Sequence, residues 1–380
     1  MLLIDADPAA VDAAREAGID GEAGDALAAA SGEMPLEDGD TVVNMLPGAV
    51  GHAARVALVQ RGARLVDLAF TPESAEALDA EARSTGATVL HDVGIAPGLS
   101  NMLVAEAQRL LGDLRWCTIK VGGNPAEPDP PTVDAQPINE KPSQPDSSAP
   151  GPRWASLEPE RSEPPEPSGD ADRSTTDQTD PRWSYMAPFS PADVIDEYTR
   201  PVRMRRAGAI VTVPALTGRH LLDVRGRGEM EAFLTDGLRS LVRLEIDELS
   251  EYTLRWPGHI EEWLRLCERG PITPEVEATL LEAWHFDADR PEFTWLEVVA
   301  GTDTGGVRWV VEDDGDDEWS SMARMTGLVT ETCCRLLHDG VVDLGPGVHP
   351  PEALPEAVLT EVLSELRGAG VRIEHERLFD

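Results

Sequence analysis

Residues 87–123 read ATVLHDVGIAPGLSNMLVAEAQRLLGDLRWCTIKVGG, and the alternation inside this stretch decides the fold. Ala87–His91 is a short β-prone run, broken by Gly94, Pro97 and Gly98. Leu99, Met102, Leu103, Leu110 and Leu111 then recur at helical spacing, with Glu106 and Arg109 off that face. A second strand is expected over Trp116–Val121, closed by Gly122-Gly123. The spacing predicts strand, glycine-rich turn, helix, strand. Such a turn gathers His91, Asp92 and free backbone N–H groups at a helix start, where a carboxylate or phosphate binds readily. A plain β-to-α connection is the competing reading.

Upstream, the same alternation repeats. Strands are expected at Leu2–Ile4, Thr41–Met45 and Arg64–Leu68, and helices at Pro8–Ala17, Ala49–Arg61 and Pro72–Ser84. Short apolar runs separated by helices indicate parallel strands in βαβ units and a doubly wound sheet. The expected fold class is therefore α/β: a Rossmann-like parallel sheet, N-terminally truncated, with a second α+β domain. A dinucleotide-binding domain opens with a strand and G-x-G-x-x-G leading into a helix, and no such glycine cluster is present. The first strand, LLID, already looks like the second strand of such a domain. Its terminal acid Asp5 sits where a carboxylate would bind the ribose 2′-hydroxyl of NAD and repel the extra phosphate of NADP. The glycine motif normally precedes that acid by roughly 20 residues, so it is expected upstream of Met1 or lost from a shortened protein. Strand carboxyl ends bind ligands in α/β sheets, which makes Asn44 and Pro47 in VVNMLPG (42–48) and Asp67 in LVDLAF (65–70) candidate cofactor residues. For Asp67 a helix N-terminal or loop acid is the alternative.

Downstream, residues 125–182 break the pattern, with 14 prolines among 58 residues and few aliphatic ones. Such a composition cannot bury enough apolar surface to offset its ordering entropy, so a disordered insertion over 127–182 is expected. Strands at 209–215 and 220–224 follow, with helices at Phe233–Val242 and Ile260–Arg269. WLEVVAG (295–301) and VRWVVED (307–313) form a hairpin-like pair. Ser320–Leu337 and 352–368 are amphipathic, and VRIEHERL ends as an edge strand.

Thirty-two basic residues stand against 70 acidic ones, a formal net charge of −38, and only Lys120 and Lys141 are lysines. So acidic a surface repels itself at low ionic strength; a halophilic cytoplasm is expected. The charge excludes nucleic acid, whose backbone needs clustered Lys and Arg. No apolar run approaches the ~18–20 residues of a membrane span, and MLLIDADP lacks the basic start of a signal peptide. Cys117, Cys267, Cys333 and Cys334 show no C-x-x-C spacing, so neither a disulfide nor a metal site is expected.

GIAPGLSNMLVAEA (94–107), KVGGNP (120–125), APFSPADVIDEYTRP (187–201), VTVPALTG (211–218), TDGLRSL (235–241) and YTLRWPGH (252–259) occur in order. Together they resemble the saccharopine dehydrogenase-like family, closest to its lysine 6-dehydrogenase branch. The resemblance implies an NAD(P)-dependent oxidoreductase, NAD rather than NADP and without a metal. It would act on an amino acid such as lysine by hydride transfer at an amine or imine. It further implies a homodimer, and a nucleotide domain of 1–110 rejoined by about 320–380 around a substrate domain of 111–319. The N-x-L-P turn at Asn44–Pro47 lines the cofactor cleft in that family.

Both reactions need a group that shuttles a proton near neutral pH. Lys120 matches the family's K-V-G-G phrase and, unlike arginine, can release a proton; an exposed strand lysine is the alternative. His259 in R-W-P-G-H and His91 at the mouth of the turn are the other acid–base candidates, with a satisfied buried histidine the competing reading for His259. Gly94 is assigned to cofactor, Pro97 and Gly98 to substrate. Asp236 and Arg239 would hold the substrate amine and carboxylate, against an i, i+3 intrahelical pair. Two other functions stay open. One is a catalytically silent relative acting as a binding or dimer-forming protein, suggested by the missing glycine motif. The other is a polyamine-forming relative such as carboxynorspermidine dehydrogenase.

Overall fold

The computed structural model describes residues 1–37, 39–129 and 183–378; the insertion expected over 127–182 lies, from residue 130 onward, outside the described residues. In chain order the first half holds β1 (Leu2–Asp5), α1 (Pro8–Glu16), β2 (Asp20–Ala23), α2 (Ala26–Ala28), β3 (Thr41–Asn44), α3 (Gly48–Gln60), β4 (Arg64–Asp67), α4 (Asp79–Thr85), β5 (Thr88–His91), α5 (Leu99–Leu111) and β6 (Trp116–Pro125). The second begins with α6 (Pro191–Thr199), β7 (Val202–Arg206), β8 (Ala209–Val213), β9 (His220–Val224), β10 (Gly228–Leu234), β11 (Glu248–Arg255), α7 (His259–Arg269) and α8 (Pro274–Ala283). It closes with β12 (Glu292–Gly301), β13 (Gly306–Asp313), α9 (Ser321–His338), β14 (Gly347–His349), α10 (Glu356–Gly368) and β15 (Arg372–Leu378). Local chemistry starts several helices: the side chains of Asp7, Thr273 and Ser320 accept backbone N–H groups at the heads of α1, α8 and α9, and proline opens α1, α6 and α8.

Three sheets result. β3, β4, β5 and β14 form a parallel sheet in the order β14-β5-β4-β3, while β1 and β2 pair in parallel as a separate two-stranded unit. The third sheet is mixed and nine-stranded, ordered β15-β13-β12-β6-β11-β10-β9 with β7 and β8 attached through β11.

Side chains alternate across a strand, so the two faces of the large sheet differ. Cys117, Ile119, Leu249, Leu296 and Val298 point to the face that packs, through α5 and α9, against Val66 and Leu90 of the parallel sheet. Leu99, Leu103, Val104 and Ala107 of α5 are fully buried there, which explains why its apolar stripe is so wide. Farther along the same face Phe233 joins an aromatic cluster with Trp183, Tyr185, Tyr198, Trp263 and Trp284.

Several expectations change. Phe233–Val242 is not a helix: Phe233 and Leu234 end β10, and a short 3₁₀ turn spans Arg239–Arg243. Pairing of Leu234 with Tyr252 overrides local propensity there. The final strand pairs with β13 in the large sheet, whereas β14 pairs with β5 in the parallel sheet and α9 packs against Val66 and Leu90 of that sheet. Among the described residues no helix is long and apolar enough to cross a membrane, and no group of His, Cys, Asp and Glu is arranged to hold a metal ion.

Candidate active site at the join of the two halves

The carboxyl ends of β3, β4 and β5 meet the large sheet, and a row of buried charged groups lies along that join. On the parallel-sheet side, Arg55 of α3 ion-pairs with Asp67 and donates to Thr71 Oγ1 (3.1 Å) and the Ala69 carbonyl (3.1 Å). Asp67 also accepts from Asn44 Nδ2 (3.1 Å) and the Ala69 N–H (2.9 Å). Both Asp67 oxygens are therefore engaged internally. Burial pushes its carboxyl upward, only partly offset by Arg55.

The row then crosses the join. Arg239 Nη1 donates to the Thr71 carbonyl (2.9 Å) and Nε to Asp92 Oδ2 (3.3 Å), with both side chains buried. Asp92 Oδ2 lies 2.9 Å from His91 Nδ1. Burial alone would raise the Asp92 carboxyl, but Arg239 and His91 hold it well below the usual range. Burial opposes the His91 imidazolium, yet Asp92 and Glu76 more than offset it and raise its pKa above 6.5. His91 Nε2 is buried, has no hydrogen-bond partner among the described residues and stands 4.0 Å from Glu76 Oε1. Asp92 and Arg239 both hold positive φ, +57° and +51°. Left-handed backbone in two non-glycine residues is costly and clusters at functional sites; here the two strained residues are partners.

Phe70, just after β4, enters the same join. Arg239 and Arg200 stand over its ring at 5.2 and 4.8 Å, and Arg200 Nη1 is buried without a hydrogen-bond partner among the described residues.

The turn Gly94–Gly98 does not offer its helix start to an anion. The N–H groups of Leu99 and Ser100 are taken by the carbonyls of Gly94 and Ile95. Asn101 Oδ1 accepts from Gly98, and Asn101 Nδ2 bridges to Ser240 and Glu352. Gly98 has φ +132°, and a Cβ there would overlap the Gly94 backbone. Gly94, Pro97 and Gly98 thus shape and dock the turn.

The remaining candidates separate. His91 and Arg239 are brought together; Asn44 and Asp67 line the same strand ends. Asp236 is held by Arg203 through two side-chain bonds of 3.1 Å, so it does not pair with Arg239. Lys120 points to the opposite face of the large sheet and pairs with Glu297 (3.2 Å). His259 sits in the aromatic cluster with Nε2 on Tyr198 (2.9 Å) and Nδ1 on the Trp183 carbonyl (2.9 Å). Burial, then nearby Arg255, lowers its pKa to about 3, so it is a satisfied neutral histidine. Asp5 ends β1 half-buried and accepts the Asp7 N–H (2.8 Å).

Asp5 and Asn44 end β1 and β3, at the edge of a parallel sheet where a dinucleotide would lie, but the Asn44 side chain is already satisfied by Gly51, Asp67 and Leu46. No glycine-rich strand–turn–helix for a pyrophosphate occurs among the described residues. Glu251, absent from the candidates above, also lies in this region, and no local signal marked it.

A Rossmann-type sheet docked by its carboxyl edge on a large mixed sheet, with an ionic row buried at the join, defines a two-part α/β protein. A family model described as the saccharopine dehydrogenase C-terminal domain matches residues 94–371; the chain belongs to the saccharopine dehydrogenase-like family. Among solved structures it is similar to apo, histidine-tagged saccharopine dehydrogenase (L-Glu forming) from Saccharomyces cerevisiae. The identity is 13%, the match covers 99% of this chain and 94% of that one, and the TM-score is 0.64. That likeness shows the fold. Weaker matches, both at TM-score 0.35, are an amine dehydrogenase from Mycobacterium smegmatis (11% identity, 89% of this chain and 81% of that one) and GenD2 from gentamicin A biosynthesis in complex with NAD (14%, 99% and 88%).

Proposed function

We propose that this protein is a nicotinamide-dependent oxidoreductase that acts at an amine or imine of an amino acid such as lysine, with NAD preferred over NADP. The observation that carries the reading is the buried His91–Asp92–Arg239 row at the carboxyl edge of the parallel sheet, where α/β proteins bind ligands. Family membership supports it. Oxidising an amine to an imine removes a hydride from carbon and a proton from nitrogen. No side chain carries hydride, so the nicotinamide supplies that capacity when bound. The chain's own task is the proton.

His91 suits that task. Asp92 fixes the ring through Nδ1 and stabilises the imidazolium, leaving Nε2 without a partner. Because its pKa is raised, the ring keeps a proton to donate to nitrogen up to higher pH than a free imidazole does, and accepts one above that pKa. His91→Asn should lower turnover at least tenfold, about 1.4 kcal/mol of barrier. Unchanged amine-dependent NAD reduction in that variant would overturn the role.

A silent, binding-only relative is the second reading. The sequence carries no G-x-G-x-x-G turn, the feature that motivates it. Saturable NADH binding separates the two. Light scattering in molar salt would test the proposed homodimer.

A further inference from the structure

We propose that the Glu251 carboxyl is the receptor for a protonated amine nitrogen of the substrate. The inference rests on the amine-oxidoreductase reading above and names the group that recognises the amine.

Glu251 lies in the middle of β11, paired with Ile119, on the face turned toward the parallel sheet. It is 3% exposed, and its Oε2 is buried with no hydrogen-bond partner among the described residues. The chain makes room for it: a Cβ on Gly237 would overlap the carboxylate. Leaving a buried acid unpaired is costly, and a leucine or methionine would fill the same space without that cost.

Its surroundings define the missing partner. Glu197 of α6 already has Arg255 (3.3 Å) and Thr253 (2.5 Å). Asp236 has Arg203. Arg239 is turned to Asp92 and the Thr71 carbonyl. Cys117, on β6, is a buried thiol whose pKa burial pushes up. Among the described residues Glu251 is thus an acid with no ion pair, beside acids that have theirs. A group carrying several N–H donors and one positive charge completes it, and an ammonium meets that description.

Burial first, then Glu197 and Asp236, hold the Glu251 carboxyl well above the usual range, with Arg239 partly opposing. The ligand-free carboxyl therefore holds its proton to higher pH than an ordinary glutamate does. Binding R–NH₃⁺ converts COOH to COO⁻···⁺H₃N–R and expels that proton to solvent, so charge and protons balance.

Titration calorimetry without any nicotinamide tests this, using 6-aminohexanoate against hexanoate in two buffers of different ionisation enthalpy. The wild type should bind 6-aminohexanoate at least tenfold tighter than hexanoate and release about one proton per amine. Glu251→Gln should lose both the preference and the proton release, while Glu251→Asp keeps the release. Gly237→Ala, which drives a Cβ into the carboxylate's position, provides an independent variant that leaves Glu251 in place, and it should also lose the preference. Equal affinity and proton count in Glu251→Gln, or a wild type that does not separate the two probes, would overturn the proposal. Proton-linked amine binding without any NAD reduction would sink the enzymatic reading alone. Amine-dependent NAD reduction unaltered in Glu251→Gln would sink this inference alone.

Discussion

Replacing Arg239 by methionine removes the cation that ties the large sheet to Asp92 and Thr71. Methionine keeps a long chain and the same left-handed backbone at φ +51°, so backbone strain stays on both sides of the comparison. Both partners are nearly fully buried, 4% and 3% exposed. Breaking a buried pair by removing one partner costs about 3–5 kcal/mol. Asp92 retains His91 at 2.9 Å, which places the loss at the lower end, about 3 kcal/mol by the same reasoning. Urea unfolding in molar KCl at pH 7 measures it, and a cycle with Asp92→Asn isolates the pair. The double variant should recover at least about 1 kcal/mol relative to the sum of the singles. A loss under about 1 kcal/mol in Arg239→Met, or strict additivity, would refute the claim that this pair holds the join, since close charged partners couple.

Four more outcomes follow. The oxidative kcat/KM should rise as pH climbs through the raised His91 pKa, because the ring accepts a proton only above it, and His91→Asn should flatten that limb. His259 stays neutral in the fold down to about pH 3, whereas the unfolded chain takes up a proton near 6.5. Its stability contribution is thus present above 6.5 and falls toward pH 3 by up to about 1.4 kcal/mol per unit, a slope that His259→Phe should remove. Lys120→Ala should change turnover less than about threefold, under 0.7 kcal/mol, since Lys120 faces Glu297 on the far side of the sheet; a tenfold loss would restore it to the site. With a formal charge of −38, the melting temperature should rise between low and molar salt, where the screening length drops to about 3 Å; a flat melt would contradict the halophilic expectation.

The parallel sheet was legible because its strands are short β-branched or leucine-rich runs: Val42-Val43, Leu65-Val66 and Val89-Leu90. β2 was not, since Asp20-Gly21-Glu22-Ala23 carries almost no β propensity and exists through its pairing with Leu2–Asp5. The helix expected over Phe233–Val242 failed where Arg239 turns left-handed to reach Asp92, 147 residues away in sequence. His91 could be found from its place at a strand end. Glu251 could not: Ser250-Glu251-Tyr252-Thr253 reads as a half-solvated strand, and only the elements covering β11 bury that carboxylate. Gly94, Pro97 and Gly98 were located correctly as a turn, but the N–H groups expected to be free are consumed by the turn itself.

The central claim is that the join between the two sheets houses nicotinamide-dependent amine chemistry. Absorbance at 340 nm, with this chain, NAD and L-lysine in molar KCl, tests it most directly, alongside an NADH fluorescence titration. Saturable NADH binding and lysine-dependent NAD reduction that His91→Asn lowers at least tenfold are expected. Absence of both binding and reduction would contradict the claim and leave the binding-only reading.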